Sequence, residues 1–154
     1  MNFYWQNFWI TLIVLLPNLL YLRFPPKHVS SDSDRPKGWV GIIILEKIGQ
    51  IAAFTLVLFW KFSINGIVEV FVFCTMIFCA VIYYICWFRY IKKGQSFKLL
   101  YDQFLGVPIP LAIAPVIYFL CAGILLHSWI YIACVLILAV GHVFESLACY
   151  KHLQ

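Results

Sequence analysis

Five stretches of about 20 residues each are almost entirely apolar, running from about residue 3 to 22, 39 to 60, 67 to 87, 107 to 126 and 129 to 150. A helix of about 20 apolar residues is long enough to span the hydrocarbon core of a bilayer. Only 11% of the residues are charged, against about 25% in a typical soluble domain. The sequence therefore excludes a soluble domain and a nucleic-acid binder. It predicts an all-α, five-span membrane bundle, with residues 1–154 as a single domain.

The basic residues predict how this bundle is oriented. The predicted loops after the first and third spans and the C-terminal tail together carry nine Lys and Arg residues, whereas the loop after the second span carries only Lys61. Cytoplasmic loops are enriched in Lys and Arg. We therefore expect a multi-pass protein of the plasma membrane, with its N-terminus outside and its C-terminus in the cytoplasm. Residues 1–7 contain no Lys or Arg, so the first span is not expected to be a cleaved signal peptide.

Aromatic residues favour the same arrangement, because Trp and Tyr prefer the membrane–water interface. The predicted outer belt contains Trp5, Trp9, Trp60 and Trp129, and the inner belt contains Trp39, Trp87, Tyr90 and Tyr150.

The segment between the third and fourth spans has its own helical pattern. Its apolar residues recur at helical spacing, at Phe97, Leu100, Tyr101 and Phe104. Ser96 is in the position of an N-cap and Gly106 is expected to end the helix. We predict a short helix lying in the interface, and a disordered basic loop is the alternative.

Polar residues inside the predicted spans are the candidates for a functional site, because such groups are costly in hydrocarbon. Asn18, Glu46 and Glu145 each lie five to seven residues from the predicted cytoplasmic end of their span, and His142 lies eight. At about 1.5 Å per residue these offsets are roughly 8–12 Å. Three helices therefore place polar groups at one depth, in the cytoplasmic third of the bilayer.

Sequence spacing groups these residues further. Glu46 and Gln50 share one helix face, as do His142 and Glu145. Gly49 and Gly141 are expected to let neighbouring backbones approach closely. The predicted pocket contains Asn18, Glu46, Lys47 and Gln50 as ligand-binding residues, His142 and Glu145 as catalytic candidates, and Arg89, Tyr101 and Asp102 at its rim.

Structural roles remain open as alternatives. Glu46 and Lys47 would then neutralise each other, His142 would be a hydrogen-bonded packing residue, and Asn18 would bond the backbone carbonyl freed by Pro17. A metal site is a further alternative, since one imidazole and two carboxylates suit Zn or Fe. An H-x-x-E spacing is a weak signal for such a site, and the sequence identifies no cofactor.

Several segments carry a resemblance to other proteins. The chain resembles small uncharacterised integral membrane proteins of bacteria in four segments, which are LPNLLY, LEKIGQ, LYDQFLGVPIPLAIAPV and the Gly141–His142 step. That resemblance implies a bacterial source and no particular activity.

The architecture is also similar to that of the isoprenylcysteine and phospholipid methyltransferases. Those enzymes have a basic cytoplasmic loop, a late helical hairpin and a glutamate near the cytoplasmic end of the last span, where Glu145 lies here. Their Arg-His-Pro motif with a following Tyr is absent, because the corresponding stretch is Gly106–Pro110, GVPIP. The departure puts binding of a methyl donor in doubt, so the similarity is an analogy of architecture.

Three functions follow from these observations. The first is binding or transport of a small amphipathic or cationic ligand on the Glu46 and Glu145 carboxylates, by a chain expected to form a homodimer if it is a carrier. The second is a membrane enzyme acting on a lipid or isoprenoid, with His142 as general base and Glu145 orienting it. The third is an accessory subunit whose polar groups bind a partner's helix.

Overall fold

The protein is a bundle of helices. The computed structural model describes residues 2–27 and 40–152, and no strand occurs among them. The α-helices of these residues are α1 (Phe8–Arg23), α2 (Val40–Leu56), α3 (Ile67–Lys92), α4 (Lys98–Tyr101), α5 (Pro110–Leu125) and α6 (Trp129–His152). The prediction of an all-α fold is confirmed. Most of the predicted first cytoplasmic loop and Trp39 lie outside the described residues.

Four of these helices are long and apolar enough to cross a membrane. With the short 3-10 turns that adjoin α1 and α2, they are Trp5–Arg23, Val40–Phe59, Ile67–Lys92 and Trp129–His152. Their most apolar windows are only 22–28% buried inside the bundle. Such a large apolar exterior is costly in water and is typical of a lipid-facing surface. The fourth predicted span, residues 107–126, corresponds to α5, which is apolar but has only 16 residues.

The α5 helix is the centre of the bundle. Most of its residues are buried, and it packs against α3 and α6. Tyr118 and Phe119 are both 1% exposed, and small residues such as Ala122 let the neighbouring helices approach. Pro110 is the first residue of α5, where a missing N–H costs little. A helix that is apolar on all sides is stable in this central position.

Two glycines bring α2 and α6 into close contact, as the sequence predicts. A Cβ atom on Gly49 would lie 2.5 Å from the backbone nitrogen of Leu138. One on Gly141 would lie 2.7 Å from the Cβ of Glu46. Because any other residue would force the two backbones apart, these glycines set the distance between α2 and α6.

The start of α1 is attached to the end of α2 by polar side chains. Asn7 is buried, and its Nδ2 donates to the carbonyl oxygens of Val57 (2.9 Å) and Trp60 (2.8 Å). Thr11 donates to the carbonyl of Phe54 at 3.2 Å. The last carbonyls of a helix have no partner within it. Asn7 and Thr11 therefore supply hydrogen-bond donors to the carbonyls at the end of α2, and these bonds hold α1 against α2.

The tight turn predicted between the last two spans is also confirmed, because α5 ends at Leu125 and α6 begins at Trp129. In this turn His127 contacts the carboxylate of Glu69 at 2.8 Å. Glu69 also accepts hydrogen bonds from the backbone N–H groups of Asn65 and Gly66, and so caps the first turn of α3.

The segment between α3 and α5 differs from the prediction. The α3 helix continues to Lys92, so that Arg89 is helical. The following helix, α4, spans only Lys98–Tyr101, and the Ser96 side chain makes no cap, so that N-cap prediction is wrong. The chain leaves the helix because Asp102 is extended and its carboxylate pairs with Arg89.

The aromatic residues of the predicted belts differ in exposure. Trp5, Trp9 and Trp129 are 76%, 64% and 84% exposed. Trp87 and Tyr90 are buried, at 5% and 0% exposure, because α3 turns this aromatic face toward the other helices. The depth of these residues in a membrane stays a prediction.

We expect Gly49→Ala to destabilise the bundle by roughly 1–3 kcal/mol, the usual cost of overpacking. The added Cβ would meet the backbone of Leu138, which cannot rotate away. Gly41→Ala is the matched control, since nothing lies within 4 Å of a Cβ there. Thermal unfolding in mild detergent should show a lower midpoint for Gly49→Ala alone. Equal midpoints in both variants would contradict the close α2–α6 contact.

Candidate functional site

A cavity of about 470 Å³ lies between α1, α2, α3, α5 and α6, with α4 at one end. Its lining includes five of the residues predicted from sequence to form a site, namely Asn18, Lys47, Gln50, Tyr101 and His142. The rest of the wall is largely apolar and aromatic, and it includes Phe54, Leu111 and Phe119. Residues that are far apart in the sequence thus meet around one space.

Asn18 and its helix show how α1 contributes to this wall. Pro17 has no N–H, so the carbonyl of Ile13 loses its helical partner. That carbonyl accepts a hydrogen bond from the Tyr84 hydroxyl at 2.9 Å. Asn18 is therefore not needed there, and its Oδ1 accepts from the Tyr83 hydroxyl at 2.7 Å instead. Both tyrosines come from α3, which holds α1 against the cavity.

His142 is held by a carboxylate from another helix. Its Nδ1 lies 2.8 Å from Oε1 of Glu46, whose side chain is 7% exposed. The contact exists because Gly141, the neighbour of His142, admits the backbone of α2. The sequence predicted Glu145 as the orienting carboxylate, but the structure gives that position to Glu46.

Glu145 lies one turn from His142 on α6, but it is exposed and does not line the cavity. Of His142, Glu46 and Glu145, only His142 is part of the cavity wall.

Lys47 faces a different partner from the one considered in the sequence. Its ammonium donates to Oε1 of Gln50 at 3.3 Å, one turn away on the same helix. Both residues line the cavity. Since Glu46 contacts His142, the cation of Lys47 remains on the cavity wall without a carboxylate in direct contact.

Arg89 and Asp102, predicted as rim residues, bond to each other rather than line the cavity. Arg89 Nη2 lies 2.6 Å from Asp102 Oδ2, and Nη1 donates to the carbonyl of Gln103 at 3.1 Å. The guanidinium also lies 5.7 Å from the centre of the Phe104 ring. These contacts fix the chain that follows α4 to the end of α3.

Tyr101 is carried into the cavity wall by the segment that Arg89 fixes. Burial raises the pKa of the Tyr101 hydroxyl above its usual value. The hydroxyl therefore stays protonated at neutral pH and remains a hydrogen-bond donor.

Sequence reasoning missed several residues of the wall, namely Tyr21, Tyr83, Trp87 and Ser146. On α3 the signal was present, because Tyr83, Trp87 and Tyr90 recur at spacings of four and three and so share one helix face. Aromatic residues in an apolar span gave no sign that this face lines a cavity.

Within residues 2–27 and 40–152, no three His, Cys, Asp or Glu side chains are grouped as ligands for a metal ion. Comparison of the chain with known protein families, with curated proteins and with solved structures finds no match.

We expect Asp102→Asn to loosen the segment that follows α4, because the ion pair with Arg89 is lost. Amide hydrogen exchange of residues 98–109 should become faster, while exchange in α6 stays unchanged. Lys98→Gln removes an exposed charge from the same segment and serves as the control. Unchanged exchange in Asp102→Asn would show that this pair does not position the segment.

Proposed function

We propose that the protein is an integral membrane protein that binds a small amphipathic ligand in the cavity. The observation that carries the proposal is the lining, which combines polar side chains from α1, α2, α4 and α6 with apolar walls. Sites for small molecules are mostly apolar, contain a few convergent polar groups, and enclose about 300–1,000 Å³. The cavity has this composition and falls within this range of volumes.

The cost of placing polar groups in a membrane supports the same conclusion. Polar residues that only hold helices together satisfy one another and leave no space between them. Here Lys47, Gln50 and His142 each have a partner within the protein and still line an open space. A ligand with one polar end and one apolar end complements that lining.

We further propose that α5 completes a five-span bundle, with the N-terminus outside and the C-terminus in the cytoplasm of a plasma membrane. Support comes from the nine basic residues predicted for one side and the single Lys61 on the other. In this orientation α4 lies at the inner interface, and the cavity faces the inner leaflet.

Ligand binding can be tested with a photoreactive long-chain alcohol of about twelve carbons, whose head is uncharged. Ala112 is 4% exposed and lines the cavity, so Ala112→Phe fills the space. We expect labelling of cavity-lining peptides to fall about tenfold in this variant, equivalent to ~1.4 kcal/mol. Labelled peptides are identified by mass spectrometry.

Ala133→Phe is the matched control, because Ala133 is exposed on the outer face of α6. Its labelling should equal that of the unmodified chain. Labelling confined to outward-facing residues, or equal labelling in both variants, would contradict a ligand-binding cavity.

A second function is favoured by the contact between Glu46 and His142. The carboxylate holds Nδ1 at 2.8 Å, and the ring lines the cavity. A carboxylate-oriented imidazole that reaches the substrate through its other nitrogen is a common general acid–base arrangement. We propose, as this alternative, a membrane enzyme that transfers a proton to or from a lipid or isoprenoid.

The enzyme alternative predicts that His142→Ala changes the membrane lipid or isoprenoid pools of cells that produce the protein. Glu46→Gln should cause a smaller change in the same species, because the ring is still bonded but less well oriented. His127→Ala, at the other end of α5, is the matched control. Chromatography and mass spectrometry of total lipid extracts measure the pools. Unchanged pools in His142→Ala, at normal protein levels, would exclude this alternative.

A further inference from the structure

We propose that the headgroup recognised in the cavity is anionic, a carboxylate or a phosphate on a hydrocarbon chain, and that Lys47 binds it. The proposal rests on the ligand-binding function above and specifies the chemistry of the ligand. It reverses the cationic headgroup expected from the sequence, because the structure distributes the charges of α2 and α6 differently.

The first argument is the charge of the wall. Among the described lining residues, Lys47 has a permanent charge and no Asp or Glu is present. Glu46 is directed into the α2–α6 contact, where its carboxylate lies 2.8 Å from His142 Nδ1. A cationic headgroup in the cavity would therefore face an ammonium group. An anionic headgroup would face its counter-charge.

The second argument is the excess of hydrogen-bond donors. The amide oxygens of Asn18 and Gln50 are already occupied, by Tyr83 and Lys47. The amide nitrogens of Asn18 and Gln50 and the remaining N–H groups of Lys47 are donors only, and the Tyr101 hydroxyl can donate as well as accept. A headgroup that mainly accepts hydrogen bonds fits these groups, and carboxylates and phosphates are such acceptors.

The third argument is the rest of the lining. Most of the cavity wall is apolar and is formed by residues such as Val14, Phe54, Leu111, Phe119 and Leu138. These walls have no polar partner for an extended hydrophilic molecule, so free inorganic phosphate or a small organic acid would leave them unfilled. An anion attached to a hydrocarbon chain satisfies both parts of the cavity.

The test compares headgroups on one chain length. Four unlabelled compounds compete with the photoreactive alcohol for the cavity, and labelling of the cavity-lining peptides is measured. The compounds are dodecanoate, dodecyl phosphate, dodecyltrimethylammonium and a phosphatidic acid with two short chains. We expect dodecanoate or dodecyl phosphate to compete about tenfold more strongly than the ammonium compound, a difference of ~1.4 kcal/mol. A stronger effect of phosphatidic acid than of dodecyl phosphate would identify a phospholipid as the source of the anion.

Three variants connect the preference to Lys47. Lys47→Met, which keeps the length of the chain, should abolish the preference for anions, and Lys47→Arg should retain it. Lys61→Met removes an exposed lysine outside the cavity and should change nothing. Thermal unfolding of each variant checks that the bundle is intact.

Equal competition by all headgroups, or stronger competition by the ammonium compound, would overturn the proposal. In either case the alcohol would still label the cavity, so the anionic preference would fail without the ligand-binding function. Loss of labelling by the alcohol itself would instead contradict the ligand-binding function.

Discussion

The close contact between α2 and α6 is the constraint on which the site depends. Gly49 and Gly141 leave no room for a side chain between the two backbones. At this distance the short side chain of Glu46 reaches His142 across the interface. With larger residues in place of the glycines, the carboxylate would remain in an apolar environment without its partner, at high cost. The two glycines therefore determine both how closely α2 and α6 pack and where the carboxylate of Glu46 lies.

The contact also explains why a cavity with a donor-rich wall exists beside two carboxylic acids. Glu46 bonds His142 within the α2–α6 contact, and neither Glu46 nor Glu145 lines the cavity. Lys47, the next residue along α2, lies about 100° further around the helix and lines the cavity instead. Two consecutive residues of α2 thus direct the carboxylate of Glu46 and the ammonium of Lys47 to different sides of the helix.

Much of the fold was predictable from hydrophobic length and from a few backbone residues. The helices, the tight turn before Trp129, the position of Pro110 and the close approach at Gly141 all follow from local sequence. The contacts between residues of different helices were not predictable, because they depend on how each helix is rotated about its own axis. Periodicity placed His142 and Glu145, which are three residues apart, on one helix face, and it gave no means of finding Glu46 on another helix.

The candidate site shows the same division between local and tertiary information. Depth in the span grouped Asn18 with His142, and helical spacing added Gln50. All three line the cavity, because residues at one level of a bundle meet if their faces turn inward. Depth alone could not separate Lys47, which lines the cavity, from Glu46, which does not. Depth also gave no sign that the aromatic face of α3 lines the cavity, because Trp87 and Tyr90 were assigned to the membrane interface instead.

The two proposed functions both involve His142. In the tautomer whose Nδ1–H donates to Glu46, the neutral ring presents a bare Nε2 that can serve as a base. With an anionic headgroup in the cavity, a protonated ring fits both neighbours, because it donates to Glu46 from Nδ1 and to the headgroup from Nε2. An anionic ligand therefore changes the chemical role open to His142, from removing a proton to binding an acceptor or donating a proton. Under the two proposed functions, the charge of the group that meets Lys47 would decide which of these roles His142 takes.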